Sequence, residues 1–268
     1  MLIKSQEEIK LIKKGGKLIG EILDKLSKMC KPGVSTFEID QAAEKMIFEV
    51  GGRPSFKGYK IRHEDIPFPN AICASRNHEL VHGIAKKDAI LKNGDIFSID
   101  IGMEWPYKKG QKSQGFYTDT ALTVPIGKIP DKTRKLLNVT QESLEVAIGA
   151  IRPGNSVADI GKAVEEYVKS QGKYGIVRDL VGHGVGHAVH EEPRIPNFYD
   201  KALEFFVLKP GMVIAIEPMI SVGGWKIKTA DDGWTVEMSD GSLCAHFEHT
   251  IVVTKTGNLV ATRRPCEI

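Results

Sequence analysis

The fold is predicted by the ten residues 91–100, LKNGDIFSID, together with a second run of the same kind at 208–217, LKPGMVIAIE. Each run begins with a glycine-containing turn, continues as an apolar strand and ends on a carboxylate, Asp100 in the first run and Glu217 in the second. Because the whole order of turn, strand and carboxylate recurs, the sequence predicts two related α+β halves.

The helical segments before these two runs also repeat. Each half has a helix that stops at a Pro-Gly pair and a second helix that begins near a serine, Ser35 in one half and Ser156 in the other. Adding 121 to a position in the first half gives the same residue in the second half for Pro32, Gly33, Ser35, Ile39, Ala42, Glu44 and Gly51. We therefore expect a single domain over residues 1–268, with halves at about 1–125 and 126–268 and a cleft between them.

Composition excludes several other classes of protein. The 268 residues are 41% hydrophobic with a net charge of +3, which indicates a full core and gives no argument for nucleic acid or membrane binding. No signal peptide and no apolar run of membrane-spanning length is evident. The 4 cysteines form no CxxC pattern, so neither a thiolate zinc site nor a disulfide framework is indicated, and a cytoplasmic location is expected.

Four acidic residues lie in or beside apolar strands, where burial is costly unless the charge is paired or binds a metal. They are Asp100 and Asp119 in the first half, and Glu217 and Glu248 in the second. Each taken alone is more often a strand-end carboxylate facing water. Because each half supplies two acids in matching contexts, we expect them to converge on one cleft and to hold divalent cations.

Residues 181–193, VGHGVGHAVHEEP, hold three histidines within eight positions. His183 and His187 are four apart, the spacing of a zinc pair on a helix, but the glycines around them make a helix unfavourable and no HExxH motif is present. The glycines instead indicate backbone packed closely against other parts of the protein. The pattern leaves open which of the three histidines is a ligand, and His82 gives a weaker signal of the same kind.

The ordered set of motifs resembles the methionine aminopeptidase family from about Glu7 to about Gly257. The segments that carry the resemblance are HGI (82–84), SID (98–100), TDT (118–120), GHGVG (182–186), HEEP (190–193), EPM (217–219) and EHT (248–250). The resemblance implies the pita-bread fold, two pseudosymmetric α+β halves with an antiparallel sheet flanked by helices. The short segment between His190 and Glu217 resembles the bacterial type I enzymes.

The same resemblance implies the roles of the site residues. The implied metal ligands are Asp100, Asp119, His183, Glu217 and Glu248. The implied catalytic residues are His82, His190 and Glu217, and the implied substrate contacts are His82, His190, Tyr59, Phe68, Cys73 and Trp234. Two divalent ions are expected, and the oxygen and imidazole ligands suit Mn, Co, Fe(II) or Zn.

The implied function is removal of the initiator methionine from nascent polypeptides when the second residue is small, by two-metal hydrolysis of the first peptide bond. The expected enzyme is a cytoplasmic monomer that associates transiently with ribosomes. Two alternatives stay open: a Xaa-Pro aminopeptidase or prolidase of the same fold, and a metal-free binding protein on this fold. The second is disfavoured because all five ligand positions are present.

The sequence departs from the family pattern in two insertions and at single positions, which include Val81 and Ala85, where the family commonly has cysteine and proline. Extra residues lie at 104–115 and near 61–67, and Val189 stands where the family commonly has phenylalanine. The loop 104–115 is predicted to be a solvated hairpin tip, with ribosome docking through Lys108, Lys109 and Lys112 as the minority hypothesis. None of the departures removes a metal ligand.

Overall fold

The computed structural model describes residues 2–60, 66–110 and 115–267 of the chain. The helices in this part of the chain are α1 (Gln6–Met29), α2 (Thr36–Glu49), α3 (Asp131–Ala150) and α4 (Val157–Gln171). The strands are β1 (Arg53–Pro54), β2 (Ile72–Arg76), β3 (Glu79–Val81), β4 (Ile96–Trp105), β5 (Phe116–Pro125), β6 (Gly175–Ile176), β7 (Gly182–Gly184), β8 (Glu191–Ile195), β9 (Val213–Ile216), β10 (Met219–Ser221), β11 (Ile227–Thr229), β12 (Val236–Met238), β13 (Cys244–His246), β14 (Glu248–Val253) and β15 (Asn258–Val260).

Serine side chains cap three of the helices. Ser5 accepts a hydrogen bond from the backbone of Glu8 while the Glu8 carboxylate accepts one from the backbone of Ser5, which forms a capping box at the start of α1. Ser35 and Ser156 cap α2 and α4 in the same way. Because these caps satisfy backbone donors that no helical carbonyl can reach, they set where each helix begins.

The main sheet contains strands from both halves of the chain. Its central path runs β1-β4-β5-β14-β9-β7-β8, with β2 beside β4 and β15 beside β14, and every pair is antiparallel. The two halves meet where β5 pairs with β14. On the sheet lie α1 with α2 and α3 with α4, and the large apolar core is between the helices and the strands. The predicted α+β class with an antiparallel sheet is confirmed.

The sequence repeat is also a repeat of hydrogen bonds. Gly33 donates to the carbonyl of Leu91 at 2.9 Å, and in the second half Gly154 donates to the carbonyl of Leu208 at 3.1 Å. Gly33 and Gly154 both have φ of +95°, a conformation that favours glycine. The helix-stop turn of each half is therefore tied to the turn that leads into its carboxylate strand.

The first long hairpin differs from the sequence prediction in its length. The sequence predicts a strand that ends on Asp100, whereas β4 continues to Trp105 and pairs with β5 without a break from Ile96 opposite Pro125 to Trp105 opposite Phe116. Continued pairing gives residues 104 and 105 regular backbone hydrogen bonds, so these two residues belong to β4. The connection between β4 and β5 is therefore residues 106–115. Residues 111–114 and 61–65 of the two predicted insertions lie outside the described residues. Of the helices the structure describes, none has the length and apolar character to cross a bilayer.

Candidate metal centre

The acidic residues singled out in the sequence lie on neighbouring strands of the main sheet. Asp100 on β4 and Glu248 on β14 both pair with Ala121 of β5, from opposite sides. Asp119 lies two residues before Ala121 on β5 and therefore on the same face. Glu217 follows the end of β9, the next strand across the sheet. Strand register, rather than proximity along the chain, brings the carboxylates together.

Burial makes this cluster electrostatically unfavourable. The pKa values of Asp119 and Glu248 are raised well above their usual range by burial and by the charges of the neighbouring acids. Burial also raises the pKa of Asp100 to about 6 and that of Glu217 to about 8. Within the described part of the chain, Oδ1 of Asp100 and Oδ1 of Asp119 have no hydrogen-bond partner. Buried oxygens of this kind fit a divalent cation, which would supply the missing partner and balance the charge.

His183 contributes a nitrogen to the same cluster. Its Nδ1 lies 2.9 Å from the carbonyl oxygen of Gly184, which can only accept, so Nδ1 is the donor. Burial lowers the pKa of His183 to about 3, so the ring is neutral and Nε2 keeps its lone pair. Ligand atoms of Asp119, His183 and Glu248 all lie within 4.8 Å of one another. An imidazole fixed through its other nitrogen is the usual state of a histidine ready to bind a metal.

Glu217 lies between two imidazoles. Its Oε1 is 3.6 Å from Nε2 of His183, and its Oε2 is 3.6 Å from Nε2 of His246. Sequence reasoning assigned no role to His246, whose two ring nitrogens are buried with no hydrogen-bond partner in the described residues. The signal that could have found it is its position two residues before Glu248, which puts both side chains on one face if the backbone stays extended.

The remaining predicted residues line one cavity of about 320 Å³ next to the carboxylates. His82 and His190 lie in its wall, and burial lowers the pKa of His82 to about 4 and also lowers that of His190. The predicted substrate contacts Tyr59, Phe68, Cys73 and Trp234 all line the cavity as well. The rings of Phe68 and Trp234 meet edge to face, with centroids 5.2 Å apart. The cavity thus joins a polar, acid-rich end to an apolar, aromatic end.

Sequence reasoning missed part of the apolar end. Phe56 also lines the cavity and packs in one buried cluster with Phe68, Cys73, Val189 and Trp234. Backbone hydrogen bonds from Gly58 to Phe68 and from Phe68 to Tyr59 hold the residues after Phe56 beside Phe68, and no motif in the sequence marks Phe56. Of this cluster, Phe56, Phe68, Cys73 and Trp234 line the cavity and make its end apolar.

The segment that carries His190 is held by the start of the chain. Nζ of Lys4 lies 2.6 Å from Oε2 of Glu191, and Oε1 of Glu8 lies 2.8 Å from Nε2 of His187. His187, the histidine left open by the sequence pattern, therefore faces α1 and is not in the grouping of Asp119, His183 and Glu248. A Cβ at Gly182 would collide with the carbonyl oxygen of Ala215 and one at Gly184 with that of Glu192, so backbone is packed closely against these glycines, as their pattern predicts.

Comparison with known proteins gives the family and the extent of the similarity. The model of metallopeptidase family M24 matches residues 10–255. Methionine aminopeptidase 1 of Bacillus subtilis is 43% identical over 98% of this chain and 99% of that protein. The structure of a methionine aminopeptidase from Thermotoga maritima has a TM-score of 0.89 at 38% identity, with 98% of this chain and 100% of that chain covered.

The prolidases of the same fold are more distant. The prolidase of Pyrococcus horikoshii OT3 aligns with a TM-score of 0.71 at 25% identity. The alignment covers 98% of this chain but 64% of the prolidase. The prolidase interpretation left open by the sequence is therefore less well supported.

Proposed function

We propose that this chain, which belongs to metallopeptidase family M24, removes the N-terminal methionine from polypeptides by hydrolysis of the first peptide bond. The observation that carries the proposal is the cavity in which a buried acid cluster adjoins an aromatic pocket. The pocket suits a methionine side chain, because thioethers pack well against aromatic edges. Residues of one chain line the cavity. We therefore propose that the enzyme acts as a monomer and that residues 1–268 form a single catalytic domain.

We infer that Asp100, Asp119, His183, Glu217 and Glu248 hold two divalent ions, with Mn, Co, Fe(II) or Zn as candidates. Support comes from the grouping of Asp119, His183 and Glu248 and from the unpartnered oxygens of Asp100 and Asp119. Divalent ions bound here would supply Lewis acidity and lower the pKa of water.

The side chains around these ligands suit the proton transfers of peptide hydrolysis. Glu217 would take a proton from the attacking water and pass it to the leaving amine. His190 would donate to the carbonyl oxygen as charge develops there, and His82 would hold the amide. Tyr59, Phe68, Cys73 and Trp234 would contact the first residue of the substrate, whose α-amine the acid cluster would attract. A small second residue would be needed because the reacting bond lies deep in the cavity.

We also propose the setting in which the enzyme acts. Its substrates would be nascent polypeptide N-termini in the cytoplasm, and its free cysteines suit a reducing compartment. Transient ribosome association would bring the cavity to those substrates, with docking through Lys108, Lys109 and Lys112 as the minority hypothesis beside a solvated loop. Replacement of the three lysines by glutamine should then weaken cosedimentation with ribosomes at low salt, and unchanged cosedimentation would contradict docking by this loop.

The activity is tested with protein stripped of metal by a chelator and then reloaded with Mn, Co, Fe(II) or Zn. The reloaded protein should release methionine from Met-Ala-Ser, while Glu217→Gln should not. A peptide with proline second, such as Ala-Pro-Ala, should be a poor substrate, and a preference for it would favour the prolidase interpretation. Full turnover by thoroughly demetallated protein would contradict the metal-dependent reaction.

A further inference from the structure

The hydroxyl of Tyr59 contacts a histidine as well as lining the cavity. Its oxygen lies 3.0 Å from Nδ1 of His190, within hydrogen-bond distance. The two rings meet edge to face, with centroids 5.3 Å apart and an interplanar angle of 76°. Apolar contact with a substrate would need the tyrosine ring alone, so the hydroxyl calls for an explanation of its own.

The loop that holds Tyr59 also builds the apolar pocket. The backbone nitrogen of Tyr59 donates to Phe56 at 2.8 Å, and its carbonyl accepts from Phe68 at 2.9 Å. Phe56 and Phe68 both line the cavity. The backbone of Tyr59 is therefore held in place relative to Phe56 and Phe68. Through the contact of its hydroxyl with His190, the imidazole is held relative to the place where the first side chain of a substrate would lie.

The direction of the hydrogen bond decides which nitrogen of His190 can act. In a neutral imidazole one nitrogen carries the proton and the other accepts. If Nδ1 accepts from the tyrosine, Nε2 carries the proton and can donate to a carbonyl oxygen. If Nδ1 instead donates to the tyrosine, Nε2 has only a lone pair and would repel that oxygen. Burial raises the pKa of Tyr59 above its ordinary value of 10, so its hydroxyl retains a proton to donate.

We propose that Tyr59 is a positioning residue whose hydroxyl donates to Nδ1 of His190 and so fixes the tautomer in which Nε2–H faces the substrate carbonyl. The inference rests on the proposed aminopeptidase function, since it assigns His190 its donor. It makes one loop responsible both for recognising the first side chain and for orienting the group that stabilises the reacting carbonyl.

The first test is kinetic and uses the metal-loaded enzyme with Met-Ala-Ser. Tyr59→Phe keeps the ring and removes the hydroxyl, so kcat should fall about tenfold, the effect of one lost hydrogen bond, with KM changed by less than about twofold. Phe68→Leu, which alters the pocket without touching His190, should instead raise KM. Tyr174→Phe is the matched control, because this half-buried tyrosine of the second half is outside the cavity, and it should leave both constants unchanged.

The second test reads the tautomer directly. In zinc-loaded enzyme labelled with ¹⁵N-histidine, the ring signals of His190 are identified by their loss in His190→Ala. Wild type should show a proton on Nε2 and none on Nδ1, and Tyr59→Phe should shift these signals toward a mixture of tautomers. Phe68→Leu and Tyr174→Phe should leave them in place.

Two outcomes would overturn the proposal: a proton on Nδ1 in wild type, or unchanged signals and kcat in Tyr59→Phe. Failure of the positioning role differs visibly from failure of the function. If wild type does not cleave Met-Ala-Ser, the proposed function is wrong. If wild type cleaves it and Tyr59→Phe does so equally well, only the positioning role is wrong.

Discussion

Glu248 and His249 are neighbours on β14, yet they face regions of opposite character. Glu248 faces the acid cluster, where carboxylate oxygens lack partners in the described chain. His249 faces the other side of the sheet, where its Nδ1 is 2.9 Å from Oγ1 of Thr262 and its Nε2 is 3.3 Å from Oε2 of Glu267. Both regions are buried and rich in charge, but among the residues that the structure describes only the second region finds partners for its polar groups.

Arg264 provides most of the internal partners that the second region has and the acid cluster lacks. It is 1% exposed and donates to Oγ1 of Thr120 at 3.2 Å, to the carbonyl of Ala121 at 3.1 Å and to the carboxylate of Glu267. It ties the last residues of the described chain to β5, behind Asp119. A buried cluster whose charges are paired within the protein stabilises the fold, whereas a buried acid cluster without such partners is suited to bind an external cation.

The largest effect should come from the unpaired region. Asp119→Asn should remove bound metal and lower kcat/KM by at least about 10³-fold, because the cations supply several kcal/mol to the transition state. In metal-free protein near neutral pH the same change should raise the free energy of unfolding, because folding must either bury the Asp119 charge among the other acids or protonate the carboxyl. Metal content, peptide hydrolysis and urea unfolding measure the three effects. Normal metal content and activity in Asp119→Asn would remove the distinction between the two regions.

The paired region should respond in stability and not in metal binding. Arg264→Met leaves Glu267 and His249 buried without their cation, and we expect the free energy of unfolding to drop by about 3–5 kcal/mol. Metal content and kcat per folded molecule should change little. The matched control is Arg263→Met, which breaks a partly exposed pair with Glu145 and should cost less than about 1 kcal/mol. Equal losses in the two variants would contradict the importance of burial.

The pH dependence of stability should have opposite signs in the two regions. The folded-state pKa of Glu217 is raised from 4.5 to about 8. In metal-free protein its contribution to the free energy of unfolding is therefore greatest below about pH 4.5 and is lost as the pH rises through 8. Asp100, with its pKa raised to about 6, acts in the same direction. The pKa of Glu267 is lowered from 4.5 to about 2, so its contribution is present above pH 4.5 and is lost as the pH falls toward 2.

Unfolding of chelated protein by urea between pH 7 and 8 tests this sign, with a change of up to about 1.4 kcal/mol per pH unit for each proton released. In this range the histidines whose pKa the fold lowers, such as His82 and His183, are mostly neutral in the unfolded chain as well and contribute little. Stability should fall as the pH rises through this range, and excess Mn should remove the fall. A rise in stability over the same range without metal would show that the carboxylates have internal partners after all.

The smallest effect concerns the apolar end of the cavity. Val189 is 7% exposed and packs with Phe56, Phe68, Cys73 and Trp234. Val189→Phe should add contact between a ring and the first side chain of the substrate. Binding of Met-Ala-Ser should then become more favourable by about 1 kcal/mol, which is seen as a lower KM, and bulkier first residues should be accepted less well. Val222→Phe, at a site 42% exposed and outside this cluster, is the control. Equal KM values for wild type and Val189→Phe across these substrates would exclude Val189 from the pocket.

Much of the fold could be predicted because it depends on signals close together in the chain. The capping box of Ser5 and Glu8 and the repeated Pro-Gly stops set the helix boundaries within a few residues of where they occur. The four carboxylates could be singled out because a charge in an apolar strand is costly without a partner, whatever the partner is. The ordered motifs that contain these carboxylates resemble the methionine aminopeptidase family, and that resemblance implies the candidate roles.

The pair of α+β halves, the four acids and the set of candidate histidines follow from the order of residues along the chain. The grouping of His183 with Asp119, the contact of the Tyr59 hydroxyl with His190 and the burial of Arg264 depend on how distant segments pack together. The segment around Arg264 is polar, with nothing in its pattern to indicate burial. Its partner Thr120 is 144 residues away, and contacts over such distances depend on strand pairing and packing, which local patterns do not encode.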